Sequence, residues 1–512
     1  MVAEMDEKPQ DSFFGSTWLV SLIVIVLFVL GFGIRMVDLT DLPLDFHPTR
    51  QFLSAIKARG MYYQFARDIP EWQREMAIQE WKDADVFEPA VNETVVAGLY
   101  LLFGEHLWLA RIASSVYWLL GGLALFALAR RIASVDGAIL ALVFYLFLGF
   151  GVTASRSFQP DPLMVGLVLG SLWSFVRWDE ERTWKWVIIT GLLSGMAIFV
   201  KTVAVFSLLG AFALIILKTR GLRQSLKDPQ IWVLAIVTVL PVTIFMIDSI
   251  YISKNSNLSA ELRFFPSFWT DPTFYVRWKN MVGNTLGFGA FLVALLGIFL
   301  AKPGRDRSLL LGLLIGYIAY GFMFSYHIIT HTYYQLPLFV FIPLSLAFVG
   351  KALFRYLSEV NHASNFVRLS VMGIILFGMA FEMWNVRVDL VRNDYRAEPQ
   401  FWAELGDKLG RSSSVIGLTQ DYGNRLAYWG WKLTEQWPTT GDQNLRELAG
   451  KAKTFDEIFA DRVSGKQYFV VTNFNQFNSQ PELKDKLFDT YPVLEQTPDY
   501  IIFDLQHPLT QQ

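Results

Sequence analysis

The chain has no cysteine, which excludes disulfides, thiolate metal sites and a cysteine nucleophile. It has almost no net charge: 44 Lys and Arg against 46 Asp and Glu leave −2 at neutral pH. Electrostatic binding of nucleic acid is thereby excluded. Charged residues are scarce altogether, at 18%, and they cluster between apolar runs. The opening MVAEMDEKPQ lacks the basic region of a secretory leader, and no small-residue cleavage site follows the first apolar run. That run, TWLVSLIVIVLFVLGFGI (Thr17–Ile34), is expected to be a retained anchor. Tandem repeats and low-complexity tracts are also missing.

What is present is apolar: 53% hydrophobic and 15% aromatic residues, with a mean hydropathy of +0.34. These values describe a membrane protein. A bilayer core takes about 20 apolar residues per helix. Runs of that kind recur at about 17–34, 108–129, 137–155, 162–176, 184–200, 202–217, 231–250, 283–301, 308–326, 333–350 and 367–384. The expected fold is therefore a polytopic α-helical membrane protein of about eleven spans. Basic residues mark one side: Arg130 and Arg131; Arg177, Arg182 and Lys185; Lys218, Arg220, Arg223 and Lys227; Lys302, Arg305 and Arg307; Lys351, Arg355 and Arg368. By the positive-inside rule that side is cytoplasmic. The N-terminus then lies inside, and the 35–93 stretch, the 251–282 loop and the C-terminal segment lie outside.

The order of elements near the N-terminus is informative. A long polar stretch, Arg35–Glu93, follows the first run directly. A transporter seldom needs such a platform after its first span; an enzyme acting on a lipid-borne substrate at the membrane face does. Within it, QFLSAIKARGMYYQF and EWQREMAIQEW space apolar and charged residues as amphipathic helices, expected to lie on the outer leaflet. From about Asn385 the chain turns polar, and SVIGLT, QYFVVTNF and YIIFDL read as strands between helical stretches. A small soluble α/β domain is expected over 385–512, after a membrane domain over 1–384 that includes the first outer loop, 35–93.

Ionisable groups beside membrane spans are functional candidates by default. On the outer side these are Asp45, His47, Arg50 and Gln51; Glu88, Asn92 and Glu93; Arg156 and Asp161 in SRSFQPDP; Lys201; and His327, His331, Tyr333, Tyr334 and Gln335. Acids, cations and hydroxyls on one face could hold an anionic headgroup and supply a base. Plainer roles remain open: Asp161 could cap a helix, Lys201 could snorkel to the interface, and Tyr333 and Tyr334 could belong to an aromatic belt. Asp83–Ala84–Asp85 is too short to read as a metal site, and the Asn92 and Asn257 sequons are common by chance.

FEPAVNETVVAGLYLLFGEHLWLARIASSV, SRSFQPDPL, GLLSGMAIFVKT and HTYYQLPLFVFIPLSLA occur in succession after the first span and outer loop. In this the chain resembles the GT-C type lipid-linked-sugar glycosyltransferases, in particular bacterial members of the protein-mannosyltransferase and aminoarabinose-transferase group. The resemblance covers roughly residues 17–350; GLTQDYGNRLAYWGWKLTEQWP in the tail is more weakly similar to their outer domain. It implies that Glu88 is the acid of a Glu-Pro step, that Arg111 opens the next helix, and that Asp161 is the aspartate between the third and fourth spans. It places Lys201 near the lipid phosphate and has His331, Tyr333 and Tyr334 line the cavity.

One departure stands out. The family's first outer loop carries adjacent Asp-Glu, the aspartate being the expected base. Here His47-Pro48 stands at that pair, with Asp45 two residues earlier. The implied reaction moves a sugar from a polyprenyl phosphate to a lipid, glycan or protein acceptor outside the cytoplasm of a bacterial inner membrane, by one inverting displacement. Asp45, in a shifted loop, is the expected base; the alternatives are His47 or a branch that has lost the activity. Arg50, Arg111, Arg156 and Lys201, with His331, are expected to stabilise the leaving phosphate. Glu88 and Asp161 would orient the loop or acceptor, or share a divalent cation such as Mg or Mn. The rival readings are a flippase and a non-catalytic assembly subunit that keeps the fold.

Overall fold

In the computed structural model, the residues described are 12–252, 264–360 and 364–509. The Asn257 sequon lies outside them. These residues form two compact units. One comprises 12–39, 111–252 and 266–393; the other comprises 40–110, 264–265 and 394–509. The first outer loop, expected within the membrane domain, thus packs in the same unit as the C-terminal segment.

The first unit is helical. Every apolar run anticipated as a span lies largely on helix, but the runs do not all form one uninterrupted helix. Six described helical segments are long and apolar enough to cross a membrane: Thr17–Arg35, Trp108–Ile132, Pro229–Tyr251, Arg305–Met323, Thr332–Glu359 and Asn365–Leu390. Two further helix pairs are long and apolar enough together but are bent at a break. Val135–Phe147 and Gly149–Ser155 meet at 62°, and Pro272–Leu286 and Phe288–Leu300 meet at 94°. Gly287, at φ +80°, makes the second bend, a conformation a side chain would strain. Close helix packing rests on small residues, as it must where lipid removes the hydrophobic drive. A Cβ on Gly210 would sit 2.2 Å from the Gly312 carbonyl oxygen, so helices Ala204–Arg220 and Arg305–Met323 touch backbone to backbone.

Ion pairs gather at the C-terminal end of helix Asp161–Glu181. Asp179 pairs with Arg220 at 2.6 Å, Glu180 with Arg131 and with Arg305, and Arg182 with Asp228. The Trp178 ring lies 4.3 Å from the Arg182 guanidinium and 4.5 Å from that of Arg220. Basic residues from four of the loops assigned to one membrane side therefore meet at one end of the unit.

The second unit has a mixed five-stranded sheet of β1 (Val415–Leu418), β2 (Glu435–Gln436), β3 (Tyr468–Val471), β4 (Val493–Gln496) and β5 (Ile501–Asp504), in the order β2-β1-β3-β5-β4. β1 pairs in parallel with β2 and β3; β5 is antiparallel to β3 and β4. Successive side chains alternate faces. Ile416, Phe469, Val471 and Phe503 pack with Trp437 and Phe459 on one side; Val415, Val470 and Ile502 pack with Trp402 and Leu405 on the other. The sheet is covered on both faces, as an α/β layer requires.

The loop helices join this unit. Pro48–Tyr63 packs against Glu71–Asp83, Val91–Phe103 and Asn424–Gly430. Ten of its sixteen residues are buried, from Gln51 to Tyr63. It is more enclosed than the interfacial helix expected there: its Gln51, Ser54 and Lys57 meet protein partners.

Candidate active site

In the second unit, helix Pro48–Tyr63 organises the first-loop residues. Arg50 donates through Nη2 to both Glu88 oxygens at 2.9 Å, with its guanidinium 5.0 Å from the Phe87 ring centroid. Sequence reasoning named both residues; the structure makes them a pair. Gln51 is buried and donates to the carbonyls of Pro43, at 3.2 Å, and Phe46, at 2.7 Å. Those two contacts bracket Asp45, which is half-buried. His47 sits at the helix N-cap position in the left-handed region, its ring edge-on to Phe46 at 4.7 Å. Asn92 and Glu93 are buried, and Glu93 accepts from Ser54 at 2.7 Å.

Sequence reasoning missed two groups here. Lys57 donates to the Asp85 carbonyl at 2.5 Å; burial lowers its pKa, and the Glu93 and Glu88 charges oppose that. Gln51, Ser54 and Lys57 recur every third residue, so their shared helix face was legible as a pattern. Arg59 and Glu80 form a buried ion pair at 2.8 Å. The Arg59 guanidinium lies 4.2 Å from the Tyr428 ring and 4.1 Å from the Trp431 ring, and it donates to the Tyr428 carbonyl. Nothing local in the sequence joins residues this far apart.

In the first unit, Lys201 pairs with Asp161 at 2.7 Å, both side chains buried. Pro160 is the N-cap of helix Asp161–Glu181 and no side chain caps it; the Asp161 carboxylate lies in the first turn and holds Lys201. The Lys201 ammonium lies 4.9 Å from the Tyr333 ring centroid. Tyr334 stacks on Tyr320 at 5.6 Å and on His327 at 5.2 Å; His331 lies 5.5 Å from His327 and from Tyr333. Asp161, Lys201, Tyr333, Tyr334 and His331 are thus linked through an aromatic cluster. A buried cation with a carboxylate on one side and an aromatic face on the other suits an anionic headgroup that would take over from the carboxylate.

Three other expected residues are buried. Arg156 is buried and donates to the carbonyls of Val37, at 2.7 Å, and Asp38, at 3.0 Å. Gln335 accepts from Tyr317 and donates to the Ile328 carbonyl at 2.8 Å. Arg111 is buried near the start of helix Trp108–Ile132. Among the described residues, no three His, Asp or Glu side chains converge as a metal site. Glu88 and Asp161, the acids considered for a divalent cation, each face a basic side chain instead.

Residues 88–247 match the family model for dolichyl-phosphate-mannose-protein mannosyltransferase. No curated protein matches the chain. Among solved structures, ArnT from Cupriavidus metallidurans bound to undecaprenyl phosphate is 15% identical, with a TM-score of 0.60 over 96% of this chain and 98% of that one. The apo oligosaccharyltransferase of Archaeoglobus fulgidus is 12% identical, with a TM-score of 0.55 over 93% and 73%. The mycobacterial arabinofuranosyltransferase AftD is 14% identical, with a TM-score of 0.52 over 96% and 40%. The chain has the membrane fold of the GT-C glycosyltransferases and is similar to their protein-mannosyltransferase and ArnT-like group.

Proposed function

We propose that the protein transfers a sugar from a polyprenyl-phosphate carrier to an acceptor hydroxyl or amine on the extracytoplasmic side of the bacterial inner membrane, with inversion at the anomeric carbon. The observation that carries this reading is the buried Lys201–Asp161 pair beside Tyr333 and the His327–His331–Tyr334 cluster. It supplies one buried positive charge, already balanced, in a fold whose relative from C. metallidurans was solved with undecaprenyl phosphate.

The roles are assigned residue by residue. Lys201 meets the phosphate, and its charge grows in worth as the phosphate leaves with its bonding pair. Tyr333, Tyr334 and His331 line the headgroup's surroundings, and apolar helices hold the prenyl tail. Asp45 accepts the acceptor's proton as the new glycosidic bond forms and the anomeric carbon–phosphate bond breaks. Arg50 and Glu88 fix the loop through their ion pair. No step is assigned to a metal, because the two acids considered for one already balance Arg50 and Lys201.

A second reading has its own support: His47-Pro48 stands where the family's Asp-Glu pair is expected, so the chain would bind a lipid-linked sugar without turning it over. Transfer of labelled sugar by purified wild type, Asp45→Asn and Glu88→Gln separates the two. Transfer that falls about 100-fold or more in Asp45→Asn supports the enzyme and its base. Binding of the donor without transfer, across lipid, glycan and peptide acceptors, supports the second reading.

A further inference from the structure

Helix Pro48–Tyr63 begins without a cap of its own. His47 occupies the N-cap position at φ 47°, ψ 63°, and its side chain makes no capping hydrogen bond. A residue before proline is already restricted, and the left-handed region adds strain for a side chain. Thr49, in the first turn, takes partners from 372 and 375 residues further along the chain. Thr49 Oγ1 donates to Asp421 Oδ1 at 3.0 Å, and Asn424 Nδ2 donates to the Thr49 carbonyl at 3.1 Å. Arg425 Nε holds the other Asp421 oxygen at 2.5 Å and reaches Glu398 through Nη1 at 3.2 Å.

The segment that delivers these contacts is itself strained. Asp421 (φ 52°, ψ 36°), Tyr422 (φ 57°, ψ 36°) and Gly423 (φ 77°) are left-handed in succession. For Asp and Tyr that conformation is strained. The third position, at φ 77°, favours glycine, and a Cβ there would have to displace the Gln436 side-chain amide 2.3 Å away. Such a turn persists only where its surroundings over-determine it. Here it aims a carboxylate at a helix start, where negative charge is favoured.

The structure assigns Asp421 a positioning role: from the C-terminal segment it holds the Thr49 hydroxyl in the uncapped first turn of helix Pro48–Tyr63, and so fixes the segment Asp45–Gln51. Gln51 carries the constraint onward to the Pro43 and Phe46 carbonyls on either side of Asp45. This deepens the proposed function and rests on it. Asp421 touches no reacting atom and acts through Thr49. The C-terminal domain is therefore a working part of the catalytic loop rather than a detachable cover.

Transfer kinetics of Asp421→Ala, Asp421→Asn, Thr49→Val and Thr49→Ser test this. A displacement of about 1 Å at the base lowers the rate about 100-fold, so Asp421→Ala and Thr49→Val should lose 10- to 100-fold in kcat at an unchanged KM for the donor. Thr49→Ser keeps the donor and should stay close to wild type; Asp421→Asn keeps the acceptor for Thr49 but gives up the charge that Arg425 holds, and should lose less than Asp421→Ala. Wild-type kcat in folded Asp421→Ala, or no rescue by the conservative variants, overturns the role. Thr49→Val removes one hydroxyl and carries the test if Asp421→Ala does not fold. A wild type that transfers nothing sinks the functional reading instead. The positioning claim then stands or falls on a His47→Cys variant, whose cysteine is unique in this chain. Maleimide should label it several-fold faster when Asp421 is alanine or Thr49 is valine, and equal rates overturn the claim.

Discussion

The individual residues divide by whether their partner lies nearby in sequence. Lys201, Asp161 and Tyr333 were all named from the sequence, because a charge within apolar surroundings is conspicuous. Their pairing was not readable, since it depends on how three helices pack. Removing one partner of a buried pair strands the other charge at about 3–5 kcal/mol. Lys201→Met alone should therefore be poorly stable, and Lys201→Met with Asp161→Asn more stable than it. Polyprenyl phosphate should raise the thermal midpoint of wild type and leave that double variant unmoved; an equal rise in both contradicts the role of Lys201. Arg59–Glu80 was invisible for the opposite reason, lying on helices that read as ordinary amphipathic surface. Burial raises the Glu80 pKa from 4.5 to about 6 despite Arg59, in keeping with one carboxylate oxygen that has no hydrogen-bond partner. The folded state then holds the proton more tightly than the unfolded chain does. The Glu80 contribution to stability is greatest below pH 4.5 and declines as pH rises through 6. Thermal unfolding between pH 4.5 and 7 should show that decline in wild type, and Glu80→Gln should remove it.

At the scale of elements, apolar length was legible and interruption was not. The run 137–155 contains no proline or charge, yet its helices bend by 62° after Phe147. The run 283–301 holds the second arm of a bend whose first arm, Pro272–Leu286, begins in polar sequence. Three strands were read from their β-branched and aromatic runs. β2 is two residues long and β4 is largely exposed, so neither left a pattern. Contacts between distant segments were equally hidden. Lys432 ties the turn after helix Glu398–Leu409, donating to the carbonyls of Gly410, at 2.7 Å, Arg411, at 3.2 Å, and Ser413, at 2.5 Å. Lys432→Met should leave these acceptors without their donor and cost about 2–4 kcal/mol, more than a typical surface change. Urea unfolding followed by tryptophan fluorescence measures it, and a loss under about 0.5 kcal/mol contradicts the account.

At the scale of the molecule, the sequence separates an apolar part from a polar C-terminal part, and the first outer loop clusters with the latter. Hydropathy separates polar from apolar stretches; it cannot say which polar stretches pack together. Residues 40–110 and 394–509 form one compact unit because helix Pro48–Tyr63 buries its face against Asn424–Gly430 and the loop helices. The basic loops meet at one end of the other unit through pairs such as Arg305–Glu180 and Arg220–Asp179, which agrees with assigning them to one membrane side. The central claim is a single displacement at the anomeric carbon of a polyprenyl-phosphate sugar. The measurement that tests it most directly is the anomeric configuration of the product, read by NMR after transfer from a donor of known configuration by the purified full-length protein. The account predicts complete inversion; a retained configuration, or a donor bound and never consumed, contradicts it.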